Sequence, residues 1–272
     1  MSDNIERTPL IKVDHLKEYF KISGKGMLHA VDDVNFEIYE GETLGLVGES
    51  GCGKSTVGNV IMRLLQQTDG KLYLEGENVF EASKEKKNDY CRKMQMIFQD
   101  PYSSLNPRKT IRSILSEAYI VQKLCPKEEI EGKIRELCDI VGISQRLLDY
   151  YPHELDGGTR QVVGIARALV MHPAVILMDE PFGALDAQTR NIMQEQLTKI
   201  IQHSERTIIF VTHSVDEALF LSDRVVVTKR PSTIYKVIDV PWDRPRDRAS
   251  PEFTALRKQI LTYLEQQNVM DD

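Results

Sequence analysis

Apolar residues change their spacing several times along the chain, and each change predicts a different element. Leu10–Phe20 and Ala30–Tyr39 are predicted strands, with Val34, Phe36 and Ile38 alternating against Asn35 and Glu37 in the second. T-L-G-L-V-G (Thr43–Gly48), after Gly41, is a short apolar run that predicts a buried strand. Residues 54–66 read as a helix, G-K-L-Y-L-E-G (Gly70–Gly76) as a strand, Glu81–Asn88 as a charged loop and Met94–Gln99 as a further strand. From Pro107 to about Tyr150 the period becomes helical, with Ile111, Ile114, Leu115 and Ala118 on one face and Ile130, Ile134, Leu137 and Val141 on another.

Past this helical stretch, A-V-I-L-M-D-E (Ala174–Glu180) and T-I-I-F-V-T-H (Thr207–His213) are near-continuous apolar runs with polar ends. Strands buried on both faces of a parallel sheet have this pattern, and they carry functional side chains at their carboxyl ends. Met193, Leu197, Ile200 and Ile201 between them sit at helical spacing. Strands are expected near Arg224–Val227 and Ile234–Val240. The Pro-rich P-W-D-R-P-R-D-R then leads to a helix bearing Phe253, Leu256, Ile260 and Leu264. The order predicts an α/β chain with a helical subdomain inserted at about 100–165, one domain over 1–241, and a linker and helix over 242–272.

With 35 basic and 41 acidic residues the net charge is −6, against a nucleic-acid binder built on a general basic surface. M-S-D-N-I-E-R-T has no secretory pattern and no uncharged apolar run is long enough to span a bilayer. Any membrane association is therefore expected to go through a partner. Cys52, Cys91, Cys125 and Cys138 lack metal-ligand spacing and read as free buried thiols.

The chemistry starts at G-E-S-G-C-G-K-S, which matches G-x-x-x-x-G-K-[ST] between a strand and a helix. Gly48, Glu49, Ser50, Gly51, Cys52 and Gly53 supply backbone N–H groups for phosphate. Lys54 reaches the β/γ oxygens, Ser55 offers a hydroxyl to Mg²⁺, and Thr56 stands ready for the α-phosphate. Asp179, ending an apolar strand, suits the Mg²⁺ partner, and Glu180 the general base that polarises water. His213 at a strand end is suited to holding phosphate and water in line, and Gln99 to reaching metal or water. Alone, each of these two is a weak signal, and a lone strand-end histidine is more often structural than catalytic.

Gly157-Gly158 opens a helix whose apolar side is Val162, Val163, Ile165, Ala166 and Leu169. A helix start of this kind favours an anion, yet Asp156 before it is already negative. Asp156 is either the N-cap alone or stands where a phosphate should sit.

The order of these features resembles the nucleotide-binding subunit of ATP-binding cassette (ABC) transporters over about residues 8–230. The resemblance implies a P-loop NTPase (RecA-like) core with an N-terminal antiparallel β subdomain and an inserted α-helical subdomain. It makes Gln99 the Q-loop, residues 155–159 the signature, Asp179–Glu180 the Walker B pair, Gly183-Ala184-Leu185-Asp186 the D-loop and His213 the switch histidine. Phe20, with Tyr19 as competitor, becomes the aromatic on adenine; both are equally readable as core. It further implies ATP and Mg²⁺ as cofactors and head-to-tail closure of two ATPase subunits on two ATPs. Transmembrane permease subunits and a solute-binding protein are the expected partners, at the cytoplasmic face of a prokaryotic membrane.

Two branches share the motifs. M-I-F-Q-D-P-Y-S-S-L-N-P-R-K-T and Y-P-H-E-L look like oligopeptide/dipeptide/nickel importers. P-F-G-A-L-D-A-Q-T-R, V-T-H-S-V-D-E-A-L-F-L-S-D-R-V-V-V and P-R-D-R-A-S-P-E-F look like the nitrate/sulfonate/taurine class, which is slightly favoured. The chain departs from the family at the signature, L-D-G-G-T in place of L-S-G-G-Q. Ionised Asp156 cannot donate to a γ-phosphate, and two like charges at effective ε ≈ 20 repel by on the order of 4 kcal/mol. Asp156 is then a cap that leaves hydrolysis to the glycine N–H groups, or the weak half of a pair with a different ATPase. A third reading is ATP-driven clamping outside transport, as by a soluble ABC protein in complex assembly. The second is preferred, because Lys54, Glu180 and His213 are intact.

Overall fold

The computed structural model describes residues 7–24, 26–99, 104–204 and 206–268. The branch motif around Pro101–Ser103 lies outside them. The chain divides into two compact units, one of Met1–Cys91 with Glu205–Asp272 and the other of Arg92–Ser204.

In the first unit, β1 (Ile11–Ile22) and β2 (Gly26–Ile38) form a long antiparallel hairpin. β4 (Asp69–Leu74) adds to β1, and β5 (Glu77–Asn78) to β4, both antiparallel. Alternation places Val34, Phe36 and Ile38 inside and leaves Asn35 exposed and Glu37 partly exposed. A second set of strands is built around β3 (Thr43–Val47), which is parallel to both β8 (Thr207–Thr212) and β9 (Arg224–Lys229). β10 (Thr233–Asp239) returns antiparallel on β9. Every residue of β3 and β8 is buried, which is why their sequences show no alternation.

α1 (Lys54–Ile61) follows β3, and α2 (Lys84–Lys93) occupies part of the stretch expected to be a charged loop. Its ten residues bury only Tyr90, so no apolar period marks it. It is held instead by Ser83 at its start, Lys86 paired with Glu77 at 2.7 Å, and the Tyr90 hydroxyl donating to Glu77 at 3.0 Å. α1 is shorter than expected because Arg63 turns left-handed (φ 59°), and Leu64 and Leu65 instead donate to the Asn59 carbonyl. The thiols also divide: Cys52 and Cys138 are buried, Cys91 on polar α2 is exposed and Cys125 is partly exposed.

The second unit pairs β6 (Met94–Ile97) in parallel with β7 (Val175–Asp179). Around them are α3 (Ile111–Gln122), α4 (Ile130–Val141), α5 (Gly157–Leu169) and α6 (Ala187–Ser204). Thr110 caps α3 by accepting from the Ser113 N–H, and Gly142 ends α4 at φ 76°. The predicted apolar faces of α4, α5 and α6 are buried, as are Ile111, Ile114 and Leu115 of α3.

In the first unit, α7 (Val215–Leu221) is capped by Ser214 and closed by the Pro-rich tail. Arg246, 7% exposed, donates to the carbonyls of Leu219 at 2.7 Å and Ser222 at 2.6 Å, and Arg244 to that of Leu221 at 2.8 Å. Burial, with Arg244 nearby, lowers the Arg246 pKa to about 10. These guanidinium groups satisfy carbonyls that end a helix without intrahelical partners. α8 (Pro251–Asn268) then buries Phe253 and Ile260, and its Arg257 pairs with Asp216 at 2.9 Å. Arg246→Ala leaves buried carbonyls unpaired and is expected to lower stability by about 2–3 kcal/mol. Urea denaturation followed by circular dichroism measures this, and an unchanged midpoint contradicts the role.

Candidate functional site

The Gly48–Ser55 loop leaves the end of β3 and enters α1 through Gly53, which sits at φ 102°. Its glycines are required by space as well as by torsion. A Cβ at Gly53 would stand 2.1 Å from the Ala30 carbonyl oxygen, and one at Gly48 would stand 2.3 Å from Thr228 Oγ1. Gly51 has φ 76°. Inside the loop Lys54 is 3% exposed, its ammonium donating to the carbonyls of Gly48 at 2.9 Å and Glu49 at 2.6 Å. A buried cation folded into the loop whose amides would wrap a phosphate is the donor set that a polyphosphate requires. The cradle fits ATP on that ground. Ser55 and Thr56 are half-buried in the first turn of α1.

Two other predicted residues lie in this unit. Tyr19 is committed within its own sheet: its ring stacks on His29 with centroids 3.9 Å apart, and its hydroxyl donates to Asp32 at 2.5 Å. That bond raises its pKa to about 12, with burial second. Phe20 is half-buried. His213 is exposed just past β8. Next to it the Thr212 hydroxyl donates to Glu217 at 2.6 Å and accepts from the Ser214 N–H at 3.0 Å, which fixes the turn from β8 into α7.

The second unit holds the carboxylates. Asp179 closes β7 and is 8% exposed, and Glu180 follows in the left-handed region at φ 44°. The Gly183 N–H donates to the Glu180 carbonyl at 3.0 Å, closing the turn that permits this torsion. Gln99, exposed just past β6, donates from Nε2 to Glu180 Oε2 at 3.3 Å. Parallel pairing of β6 with β7 brings these two strand-end residues together. Such a carboxylate, aimed by an amide, is suited to polarising a water.

Asp156 is the N-cap of α5, and both of its oxygens are occupied by Thr159. The Thr159 N–H donates to Oδ1 at 2.9 Å and the Thr159 hydroxyl to Oδ2 at 2.6 Å. Burial pushes the Asp156 carboxyl upward, but the Thr159 hydroxyl and the N–H groups of the first turn outweigh it, so it titrates below the usual carboxylate range. The side chain is a charged acceptor with its bonds turned onto its own helix. Gly158 is buried, and a Cβ there would stand 2.8 Å from Thr189 Cγ2. Asp186 caps α6 by accepting from the N–H groups of Gln188 at 3.1 Å and Thr189 at 3.0 Å. Bonds from Thr189 hold its pKa below the usual range.

Sequence reasoning missed Ala30, Thr228, Arg230 and Ser232, which wall the phosphate loop. No motif marks them, because they come from β2, the end of β9 and the β9–β10 turn; only the buried polar Thr228 at the end of an apolar strand signals a task.

The family model described as ABC transporter matches residues 31–183. The chain is 46% identical over 224 residues to the oligopeptide transport ATP-binding protein OppF of Bacillus subtilis, covering 80% of this chain and 72% of that protein. It is 40% identical over 265 residues to the nitrate import ATP-binding protein NrtC of Synechococcus elongatus, covering 94% of this chain and 38% of the other. Among solved structures, a dimeric post-hydrolysis state of the ATP-binding cassette MJ0796 with ADP and Pi superposes with a TM-score of 0.75 at 27% identity, over 86% of this chain and all 100% of that one. The chain belongs to the ABC transporter family and is an ATP-hydrolysing subunit of its importer type.

Proposed function

We propose that this ATPase hydrolyses Mg²⁺-ATP through residues 48–56, Asp179, Glu180, Gln99 and His213, and so drives a separate permease at the cytoplasmic face of a prokaryotic membrane. The observation that carries the phosphate-binding role is the Lys54 ammonium held by the Gly48 and Glu49 carbonyls within a loop whose Gly48 and Gly53 leave no room for a Cβ. Phosphate oxygens offer this ammonium stronger, charge-assisted bonds than two carbonyls do. Ser55, Asp179 and Gln99 would hold Mg²⁺, a hard cation that suits their oxygen donors. When bound, Mg²⁺ offsets charge on the phosphates. Glu180 takes a proton from the attacking water while Gln99 orients its carboxylate, and His213 holds the phosphate in line. Phe20 is the better candidate for stacking on adenine, because Tyr19 is already engaged by His29 and Asp32.

The partner is a second ATPase subunit in a head-to-tail pair, and a different chain suits it best. Both Asp156 oxygens accept from Thr159, and a carboxylate offers a neighbour's γ-phosphate no hydroxyl. A partner with a serine signature would complete the site built on Lys54 and Glu180. Among the described residues no helix is long and apolar enough to cross a membrane, so the solute's path is assigned to other subunits. The transported solute is read as a small anion of nitrate or sulfonate type, on the D-loop and tail motifs. A peptide-type substrate is the alternative favoured by the similarity to OppF.

Two substitutions test the assignment. Glu180→Gln is expected to keep ATP binding, cut turnover by at least about a hundredfold and accumulate an ATP-bound dimer in size-exclusion chromatography; unchanged turnover removes Glu180 from the base role. Asp156→Ser is expected to raise hydrolysis by the isolated chain. Robust cooperative hydrolysis by the unsubstituted chain, with no gain from Asp156→Ser, eliminates the weak-signature reading.

A further inference from the structure

The end of β9 and the turn after it run along the phosphate loop. The Thr228 hydroxyl, 1% exposed, donates to the Val47 carbonyl at 3.2 Å and lies 3.3 Å from Cys52 Sγ. Arg230 Nη2 donates to the Ser50 carbonyl at 3.2 Å, and a Cβ on Gly51 would stand 3.1 Å from the same nitrogen. Ser232 closes the far end: its N–H donates to the Ala30 carbonyl at 3.1 Å, its carbonyl accepts from Asp32 at 3.0 Å, and its Cβ lies 2.8 Å from a Cβ built on Gly53. Three residues at alternate positions thus touch the beginning, middle and end of the loop.

We propose that Arg230 is a positioning residue for ATP, acting through the Ser50–Gly51 peptide of the phosphate loop. This rests on residues 48–55 being the phosphate loop, as read above. The peptide plane is rigid, and in a trans peptide the carbonyl and the following N–H point in opposite directions. Holding the Ser50 oxygen therefore aims the Gly51 N–H away from Arg230. Gly51 at φ 76° and Gly53 at φ 102° leave the backbone free to turn, so without an anchor the loop spends binding energy on becoming ordered. Thr228 and Ser232 fix the two ends from buried positions, and exposed Arg230 fixes the middle. Its second contribution is a positive charge beside an anion site.

Full-length variants Arg230→Met and Arg230→Lys test the assignment by ATP titration calorimetry and steady-state hydrolysis in the presence of Mg²⁺. Arg230→Met keeps the apolar stem without the donor. It is expected to weaken ATP binding and raise KM by about tenfold, as for loss of one charge-assisted bond. Its kcat should remain within about twofold of the unsubstituted chain, since Arg230 acts on binding and not on the step at Glu180. Arg230→Lys, still able to donate to the Ser50 carbonyl, should recover most of the affinity. ATP affinity unchanged in Arg230→Met overturns the proposal, as does a loss that tracks a fall in melting temperature and that lysine does not repair. Absence of ATP binding by the unsubstituted chain overturns the phosphate-loop reading together with this one.

Discussion

A buried ammonium organises the first unit. Lys54 has almost no solvent contact and is held by two carbonyls of its own loop. Removing a charge from water costs several kcal/mol unless it is closely partnered. The loop must therefore fold around the amine, and this demands backbone where side chains would stand. Gly48 and Gly53 meet Thr228 and Ala30 at distances no Cβ tolerates. The buried strands β3, β8 and β9 supply the rigid base, and the β9–β10 turn supplies the outer wall.

The second unit solves a different problem, that of fixing carboxylates at strand ends and helix starts. Glu180 sits in a left-handed turn beside the Gln99 amide, with Asp179 one residue before it at the end of a buried strand. Asp156 and Thr159 form a closed pair at the start of α5. Both differ from the family's L-S-G-G-Q, and the geometry joins the two changes: threonine at the fifth position adds a hydroxyl bond to the backbone N–H bond that holds the aspartate. The helix gains a strong cap. The same bonds turn the carboxylate toward its own helix.

Elements with a clear apolar period were legible from the residues alone, including the buried runs of β7 and β8 and the faces of α4, α5 and α6. α2 was not, because a helix that buries one tyrosine and is fixed by Ser83 and Glu77 leaves no periodic trace. The phosphate loop was legible because close approach of backbone to phosphate needs glycines at fixed spacing, and the strand-end Asp179, Glu180 and Gln99 because parallel strands expose their carboxyl ends. Arg230 and Thr228 were hidden for the opposite reason. They act through backbone carbonyls about 180 residues away in sequence, which accept from any suitable donor and so impose no pattern.

The central claim is that the Lys54 ammonium, around which the loop folds, is there to meet phosphate. Methionine matches its length and removes its charge, and the cost that remains is the loss of the donor to two loop carbonyls, about 1–3 kcal/mol or a few degrees of melting temperature. Measuring ATP affinity and thermal stability of Lys54→Met together is the most direct test. The account predicts ATP binding weakened by at least about a hundredfold with a melting temperature within a few degrees of the unsubstituted chain. ATP binding at unsubstituted affinity by Lys54→Met would contradict it.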